Sequence, residues 1–488
     1  MRNILIILIS FCYIFFVLFL SAVVSKFTKK DSEVPRKLIH ILVGNWVFLT
    51  PMHTELWAVL FVPFAFIIIN SLNLKYKFLS SMERSDTNPG TVYYAVSLFF
   101  LSGASFILGW KSLSFIGILI MAYGDGLAAL TGKKWGSIKP FSFAREKSLV
   151  GFLTVLIFSF VITAACLYVF APSEIGRELS LFSIVLIALC TAFFSAFVEI
   201  TGKNGADNLS LPIGSALFAS LLMHYGSLGF YIYILASVLI LFAAYKARAI
   251  KPDGIVAAII TAMTLYALGG TWMGLSLIGF FVAGSFVSFL KNQTKRKAEE
   301  LQEDNGPRSW IQVLCNSLPA CILLWLFYFF PEKKVFLLLS FAVFSAANAD
   351  TFSSELGMLW KGRVFNILNG KKLERGLSGG VSWAGFCAGL LGSVLLSLFA
   401  LPQFGLRGVI FIAVLGFAGS LIDSYLGAAF QRKYKTPDGV IWDKNIGPSA
   451  VLIRGYKLIS NNTVNLFTLI SVSVLGYLAA HYFCRLCF

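Results

Sequence analysis

A chain of 488 residues that is 58% hydrophobic, with a mean hydropathy of +0.80, cannot fold as a water-soluble globule, and most of it must lie in lipid. Its 40 Lys and Arg outnumber 23 Asp and Glu for a net charge of +17, yet no nucleic-acid module accompanies that charge, so nucleic acid is excluded as its partner. The eight cysteines are scattered, mostly within apolar runs, where they act as small apolar residues and not as a disulfide framework.

The first apolar run, residues 4–24, has only Arg2 before it and Lys26, Lys29 and Lys30 after it, which reads as a retained helix and not a cleaved signal peptide. Further runs recur along the whole length, about sixteen in all at roughly 17–25 residues each. The basic residues fall in alternate loops: eight loop segments hold 33 of the 40 Lys and Arg. By the positive-inside rule those loops are cytoplasmic and both termini are outside, so the net charge reports topology and contact with anionic lipid. The expected fold is all-α and polytopic, in two helical domains, 1–249 and 250–488, joined at the short basic stretch 246–253. The polar stretch 291–307 reads as a cytoplasmic loop of the second domain. The absence of a transit peptide points to a bacterial cytoplasmic membrane.

In the first half, Arg36-Lys37-Leu38-Ile39-His40 opens the second run, and its four-residue spacing places Arg36 and His40 on one helix face. Snorkelling accounts for Arg36 and Lys37 but not for a histidine one turn into lipid. A loop rich in acids and turn residues, 83–91, comes next on the same membrane face. Asp125 then ends a run within Gly124-Asp125-Gly126, followed by Ala128, Gly132 and Gly136, with Lys133, Lys134 and the pair Lys147-Ser148 beyond. A metal-bound triphosphate needs hard oxygen ligands for Mg²⁺ and cations for its spreading charge. An aspartate among glycines at a helix end, beside a Lys-Ser pair, supplies both. Glu199 closes a later run, and Asp207-Asn208 opens the next with Pro212 behind it, which brings two more acids to the same entrance.

These residues, in this order, resemble the phytol kinase and dolichol kinase family over residues 26–245. The family's members are polytopic kinases of isoprenoid alcohols, many of which take phosphate from CTP. The resemblance implies a CTP site at Asp125, Ala128, Gly132, Lys147, Ser148 and Gly151. The family commonly has Glu before that last glycine, where this chain has Val150. On this reading Asp125, Glu199 and Asp207 hold Mg²⁺, Lys147 neutralises charge on the transferred phosphoryl group, His40 serves as base, and Arg36 and Lys37 assist nucleotide binding.

In the second half, Asp350 and Glu355 lie five residues apart in Asn348-Ala349-Asp350-Thr351-Phe352-Ser353-Ser354-Glu355. On a continuous helix that spacing leaves them offset by roughly 140°, so they meet at one metal only if the helix breaks or another group bridges them. The basic loop 361–375 leads into Gly379-Gly380-Val381-Ser382, where backbone ahead of a helix N-terminus forms an oxyanion cradle. Asp423 lies inside an apolar run and needs a partner. Asn461, Asn462 and Asn465 open the last run. This set resembles the phytyl-phosphate kinase family over residues 250–475. The resemblance implies addition of a second phosphate to a prenyl monophosphate, with metal or phosphate held by Asp350, Glu355 and Asp423 and phosphate held by Gly379, Gly380, Ser382, Asn461 and Asn462. The terminal His481, Cys484 and Cys487 lack a fourth ligand and do not make a zinc site.

Together these features indicate a membrane phosphotransferase that converts an isoprenoid alcohol first to its monophosphate and then to its diphosphate. The partners are the alcohol and its monophosphate, a nucleoside triphosphate and membrane lipid. Two rivals share parts of the pattern. A CTP-dependent cytidylyltransferase would transfer the α-phosphate instead of the γ-phosphate, and a transporter of a phosphorylated lipid would place acids at mid-membrane. The five strongest clusters, around Asp125, Asp207, Asp350, Gly379 and Asn461, are expected at the cytoplasmic face, with Asp423 deeper in the membrane. Single cysteines at Lys133 and Lys371 should therefore resist a membrane-impermeant maleimide applied to intact cells and react once the cells are opened, and labelling of both from outside would end this topology.

Overall fold

The computed structural model describes residues 1–28, 33–77, 89–303 and 306–483, and its regular structure is almost entirely helical. The acidic loop segment 83–88 and the terminal cysteines Cys484 and Cys487 lie outside the described residues. Chain contacts define two compact units, Met1–Gly226 and Ser227–Phe488. The division falls one helix earlier than the basic joint at 246–253. The helix Leu228–Lys246 belongs with the second unit: Phe230 stacks on Tyr266 with ring centroids 5.1 Å apart, and the Tyr233 hydroxyl donates to the Gly274 carbonyl at 3.1 Å. Basic residues mark the membrane face of a loop and say nothing about which helices pack together.

The first unit comprises α1 (Arg2–Phe27), α2 (Val34–Gly44), a 3₁₀ segment (Asn45–Met52), α3 (Leu56–Tyr76), α4 (Gly90–Leu108), α5 (Lys111–Leu119), a π-helical turn (Ile120–Asp125), α6 (Gly126–Trp135), α7 (Leu149–Glu174), α8 (Leu181–Thr201) and α9 (Asp207–Tyr225). The second comprises α10 (Leu228–Lys246), α11 (Pro252–Phe289), α12 (Gln293–Leu301), α13 (Trp310–Phe329), α14 (Val335–Leu359), the short strands β1 (Phe365–Asn366) and β2 (Gly380–Val381), α15 (Trp383–Ser397), α16 (Leu401–Phe430), strands β3 (Lys433–Lys435), β4 (Ile441–Trp442) and β5 (Val451–Arg454), and α17 (Asn461–Phe483). β1 pairs with β2, and β3 lies between β4 and β5, all antiparallel.

Twelve helical segments among the described residues are long and apolar enough to cross a bilayer, fewer than the sixteen expected. The difference has local causes. Gly270 adopts a positive φ of 79°, a backbone state that glycine reaches without strain, and interrupts α11 so that it holds two runs, while the segment Trp383–Phe430 takes in both α15 and α16. The run expected at Arg36 is an eleven-residue helix followed by the 3₁₀ segment, too short to span. α9 carries Asp207 and Asn208 in its first turn and is not among the twelve.

Each unit wraps its helices around one central helix. The segment Lys111–Trp135 and the helix Val335–Leu359 are each 78% buried, against 28–50% for the other candidate spans. These two central elements carry Asp125 and Asp350, so each principal acid sits on the helix of its unit most enclosed by protein. Small residues make that packing possible. Around α14, Ser345 donates to the Ser393 carbonyl at 2.9 Å, Ser393 donates to the Ala413 carbonyl at 2.6 Å, and a Cβ on Gly416 would run into both hydroxyls. Gly416→Ala should therefore cost roughly 1–3 kcal/mol as an overpacked contact and lower the apparent Tm of the purified protein. Gly306→Ala, where a Cβ meets nothing within 4 Å, should leave it unchanged.

Candidate functional site

The first unit builds its site around the π-helical turn that ends at Asp125. A π-turn widens the helix and redirects the side chain at its end, which is why such turns recur at functional sites. α2 is pressed against this turn because glycines remove the obstructing carbons. A Cβ on Gly44 would collide with Ala122, and one on Gly126 would sit 2.5 Å from Ile41. That approach brings Lys37 Nζ to 2.6 Å from Asp125 Oδ2 and His40 Nε2 to 3.2 Å from the same oxygen. His40 Nε2 also lies 3.1 Å from the Met121 carbonyl, and Tyr94 donates to the His40 carbonyl at 2.8 Å. Both neighbours of Nε2 are acceptors, so the proton of a neutral His40 sits there and the lone pair is on Nδ1.

A second ion-pair group stands across the same space. Lys147 Nζ is 2.5 Å from Glu199 Oε1 at the end of α8 and 3.5 Å from Asp207 Oδ2 at the start of α9. Burial alone would lower the Lys147 ammonium, but Glu199 and Asp207 outweigh it and hold the group above the usual lysine range. Lys147 is therefore charged at any physiological pH. Asp207 and Asn208 are tied to α4 by the Asn208 amide, which donates to the Gly90 carbonyl at 3.1 Å.

These groups line one cleft of about 1000 Å³. The first-half residues expected to carry the chemistry are in its wall, namely Arg36, Lys37, His40, Asp125, Gly132, Lys147, Ser148, Gly151, Glu199 and Asp207, whereas Lys134 and Pro212 are not. Lys133, Lys139, Arg145 and Lys203 add to its charged lining, and Ile14, Trp46, Val62, Phe66 and Leu98 give it apolar wall as well. Gly132, Ser148 and Gly151 shape the wall through close packing. Ser148 caps α7 by accepting from the Gly151 backbone at 3.1 Å, and a Cβ on Gly132 would come within 2.9 Å of its hydroxyl. Arg36 is paired with Glu33 at 3.2 Å. Val150 occupies an ordinary first-turn position of α7, and Glu146 lines the cleft nearby.

The second unit gathers part of its expected set. α14 continues unbroken through Asp350 and Glu355, so the two acids turn to different neighbours. Asp350 shares a hydrogen bond with Asp423 of α16. Thr468 donates to Asp423 Oδ1 at 3.0 Å, and the Asn465 amide, oriented to satisfy its surroundings, donates to the same oxygen at 3.2 Å. Two adjacent buried carboxylates repel unless a proton or a cation sits with them. Glu355 is instead neutralised by Lys295, 2.5 Å away, and accepts from the Ser288 hydroxyl at 2.8 Å. It is thus not drawn to the metal position expected for it.

The glycine loop is closely packed. Gly379 has φ +80° and lies so close to α16 that a Cβ would strike Ala428. Gly380 pairs with Asn366 across β1 and β2. Ser382 caps α15 by accepting from the Gly385 backbone at 3.1 Å. Asn461 donates its backbone N–H to Glu303 at 3.2 Å and, with Asn462, opens α17.

Sequence reasoning missed the groups that hold this loop and the 291–307 segment. Lys295 is fully buried and donates to the Val287, Ser288 and Leu290 carbonyls at 2.8–3.2 Å, closing the end of α11. Asp443 accepts from the Ser378 backbone and hydroxyl at 2.8 and 2.5 Å, and burial raises its carboxyl although the Ser378 bonds oppose the rise. Glu303 pairs with Arg432. The available signal was the i, i+4 spacing of Lys295 and Glu299 within a segment of helical pattern, which argues for a packed helix over a solvated loop.

Among the described residues no three His, Cys, Asp or Glu side chains form a ready-made metal cage. Mg²⁺ seldom uses one: it is commonly held by one or two carboxylates together with substrate phosphates. Glu199 and Asp207 at one cleft wall, and Asp350 with Asp423 in the second unit, fit that donor set.

Residues 235–473 match the family described as Integral membrane protein DUF92. The chain is 33% identical over 210 residues to phytol kinase of Synechocystis sp., an alignment that spans 42% of this chain and 87% of that one. It is 29% identical over 276 residues to Protein PGR of Arabidopsis thaliana, covering 51% and 95%. It is 27% identical over 216 residues to CTP-dependent diacylglycerol kinase 1 of Saccharomyces cerevisiae, covering 38% and 72%. No solved structure matches.

The Lys37–Asp125 pair is 6% and 10% exposed, so removing one partner strands a buried charge. Lys37→Met should cost about 3–5 kcal/mol, and Lys37→Met combined with Asp125→Asn should recover most of it. Apparent Tm values of the wild type, the two single variants and the double variant measure the coupling, and an additive double variant would deny it.

Proposed function

We propose, from the premise that this chain belongs to the Integral membrane protein DUF92 family and is homologous to phytol kinase and to CTP-dependent diacylglycerol kinase, that it is a bifunctional isoprenoid lipid kinase. The chain is a phosphotransferase acting on a membrane lipid, with CTP as donor. Its finer assignment is phosphorylation of a prenyl alcohol such as phytol or geranylgeraniol in the first unit, followed by phosphorylation of the resulting monophosphate in the second. The observation that carries the first step is a single cleft whose wall combines apolar side chains with the charged groups around His40 and Asp125.

In this reading the alcohol's hydrocarbon end lies against the apolar side chains and its hydroxyl reaches the charged groups. Asp125 and the Met121 carbonyl fix the imidazole of His40 through Nε2, and Nδ1 receives the hydroxyl proton as the phosphoryl group is transferred. Lys147 leaves its acids to neutralise the charge that spreads over the transferred group. Glu199 and Asp207, with Asp125 near by, would hold Mg²⁺ arriving with the triphosphate, where the ion would polarise the phosphoryl oxygens. Arg36, Lys133, Lys139 and Arg145 surround the remaining nucleotide charge. A monophosphorylated prenyl chain stays in the leaflet, so fusion of the two units removes any need for it to cross water. Both sites are read as facing the cytoplasm. Asp350 and Asp423 form the acid pair of the second step.

The test feeds purified protein with γ- or α-labelled CTP and, separately, prenyl alcohol, prenyl monophosphate or diacylglycerol. Label from the γ-position in mono- and diphosphate identifies the kinase, whereas α-label in the lipid identifies a cytidylyltransferase. Asp125→Ala should lose the first step by roughly 10²-fold or more while still converting supplied monophosphate. Asp350→Ala should accumulate the monophosphate. If Asp350→Ala, with normal elution and abundance, also stops the first step, the units share one site and the two-step reading is wrong.

A further inference from the structure

Arg308 enters the sequence reading as one more basic residue of a cytoplasmic loop, but its side chain runs inward. The guanidinium lies over the rings of Phe280 and Phe281, 5.8 and 5.7 Å from their centroids. It sits against Gly284, where an added Cβ would be 3.3 Å from Nη2 and 3.6 Å from the Thr351 methyl group. The missing side chain at Gly284 thus makes room for a cation between α11 and α14, one residue along α14 from Asp350.

Its charge is not accounted for. Among the described residues the Arg308 guanidinium donates no hydrogen bond, and the acid that acts on it, Glu355, is already paired with Lys295 at 2.5 Å. Five N–H donors in a fixed fork, half-buried beside two rings and given no acceptor by the described residues, offer a place for an anion. A small cavity of about 70 Å³ adjoins it, with Gln312, Asn316 and Thr261 in its wall among apolar residues of α10 and α11. Asn316 in turn approaches Asn465 to 3.5 Å, and Asn465 reaches Asp423. Arg308 and Asn316 thus line one cavity, and Asn465 stands between Asn316 and the acid pair.

We propose that Arg308 is the phosphate-binding residue of the second unit, its guanidinium taking the phosphomonoester of a membrane-held lipid and fixing it beside Asp350 and Asp423. This rests on the reading that the second unit acts on a monophosphorylated lipid. The planar fork matches two phosphate oxygens at once, which a lysine cannot do. The apolar wall contributed by Ile240, Leu241, Ala258 and Ile278 favours a lipid ester over a nucleotide.

The experiment uses the full chain in nanodiscs with geranylgeranyl monophosphate, CTP and inorganic phosphate as probes. Arg308→Gln should raise the KM for the monophosphate at least tenfold in diphosphate formation and leave the KM for CTP unchanged, since about one bidentate charge-assisted contact is lost. Arg308→Lys, which keeps the charge without the fork, should fall between the two, and both variants should elute as the wild type does. Equal KM values for the monophosphate would overturn the proposal, as would a rise confined to CTP. If the wild type forms no diphosphate, the two-step reading fails by itself. Equilibrium binding of labelled monophosphate then decides the site: a tenfold loss in Arg308→Gln sustains it, and equal binding removes it. Displacement by millimolar inorganic phosphate would identify a free phosphate as the ligand, and its failure to displace would identify the lipid ester.

Discussion

A carboxylate placed among membrane helices must be paired, because the surroundings cannot solvate it. The Lys37–Asp125 contact is where the first unit meets this constraint, and the rest of that unit is arranged to make it possible. The π-turn aims Asp125 sideways, Gly44 and Gly126 admit α2, and α2 delivers Lys37 and His40 on adjacent turns. The same approach leaves an open volume between α2 and the ends of α7, α8 and α9, and that volume is the cleft. Its opposite wall repeats the solution, with Lys147 lying between Glu199 and Asp207.

The second unit solves the problem differently. Asp350 is given another acid, Asp423, as its neighbour, while the cations nearby are divided: Lys295 serves Glu355 and the carbonyl end of α11, and Arg308 is left over a cavity. The first unit, by contrast, keeps its charges mutually neutralised, Lys37 with Asp125 and Lys147 with Glu199 and Asp207.

The loops between membrane helices are also more ordered than their polarity implies. Helix α12 buries Ala298 and Leu301 together with Lys295, and the strands after α16 hold Lys433 and Asp443 against Ser378. These contacts fix the glycine-rich loop that precedes α15. Glycine there serves close packing: Gly379 admits Ala428 of α16, and Gly455 comes against the Gln431 backbone.

The sequence by itself determined the membrane class, the helical fold and the principal charged residues of the first cleft. Hydropathy is a sum over local residues, and acids, glycines and a Lys-Ser pair stand out against an apolar background wherever they fall. Asp125, Lys147, Glu199 and Asp207 were legible for that reason. Pairing was not, because Lys37 and Asp125 are 88 residues apart and nothing in either neighbourhood specifies the other. Nor were the span count, which turns on the break at Gly270 and the shortness of α2, the inward course of Arg308, or the separation of Glu355 from Asp350. Each depends on which helix faces which, and that is set by the packing of small residues across distant segments, so only the tertiary structure could decide it.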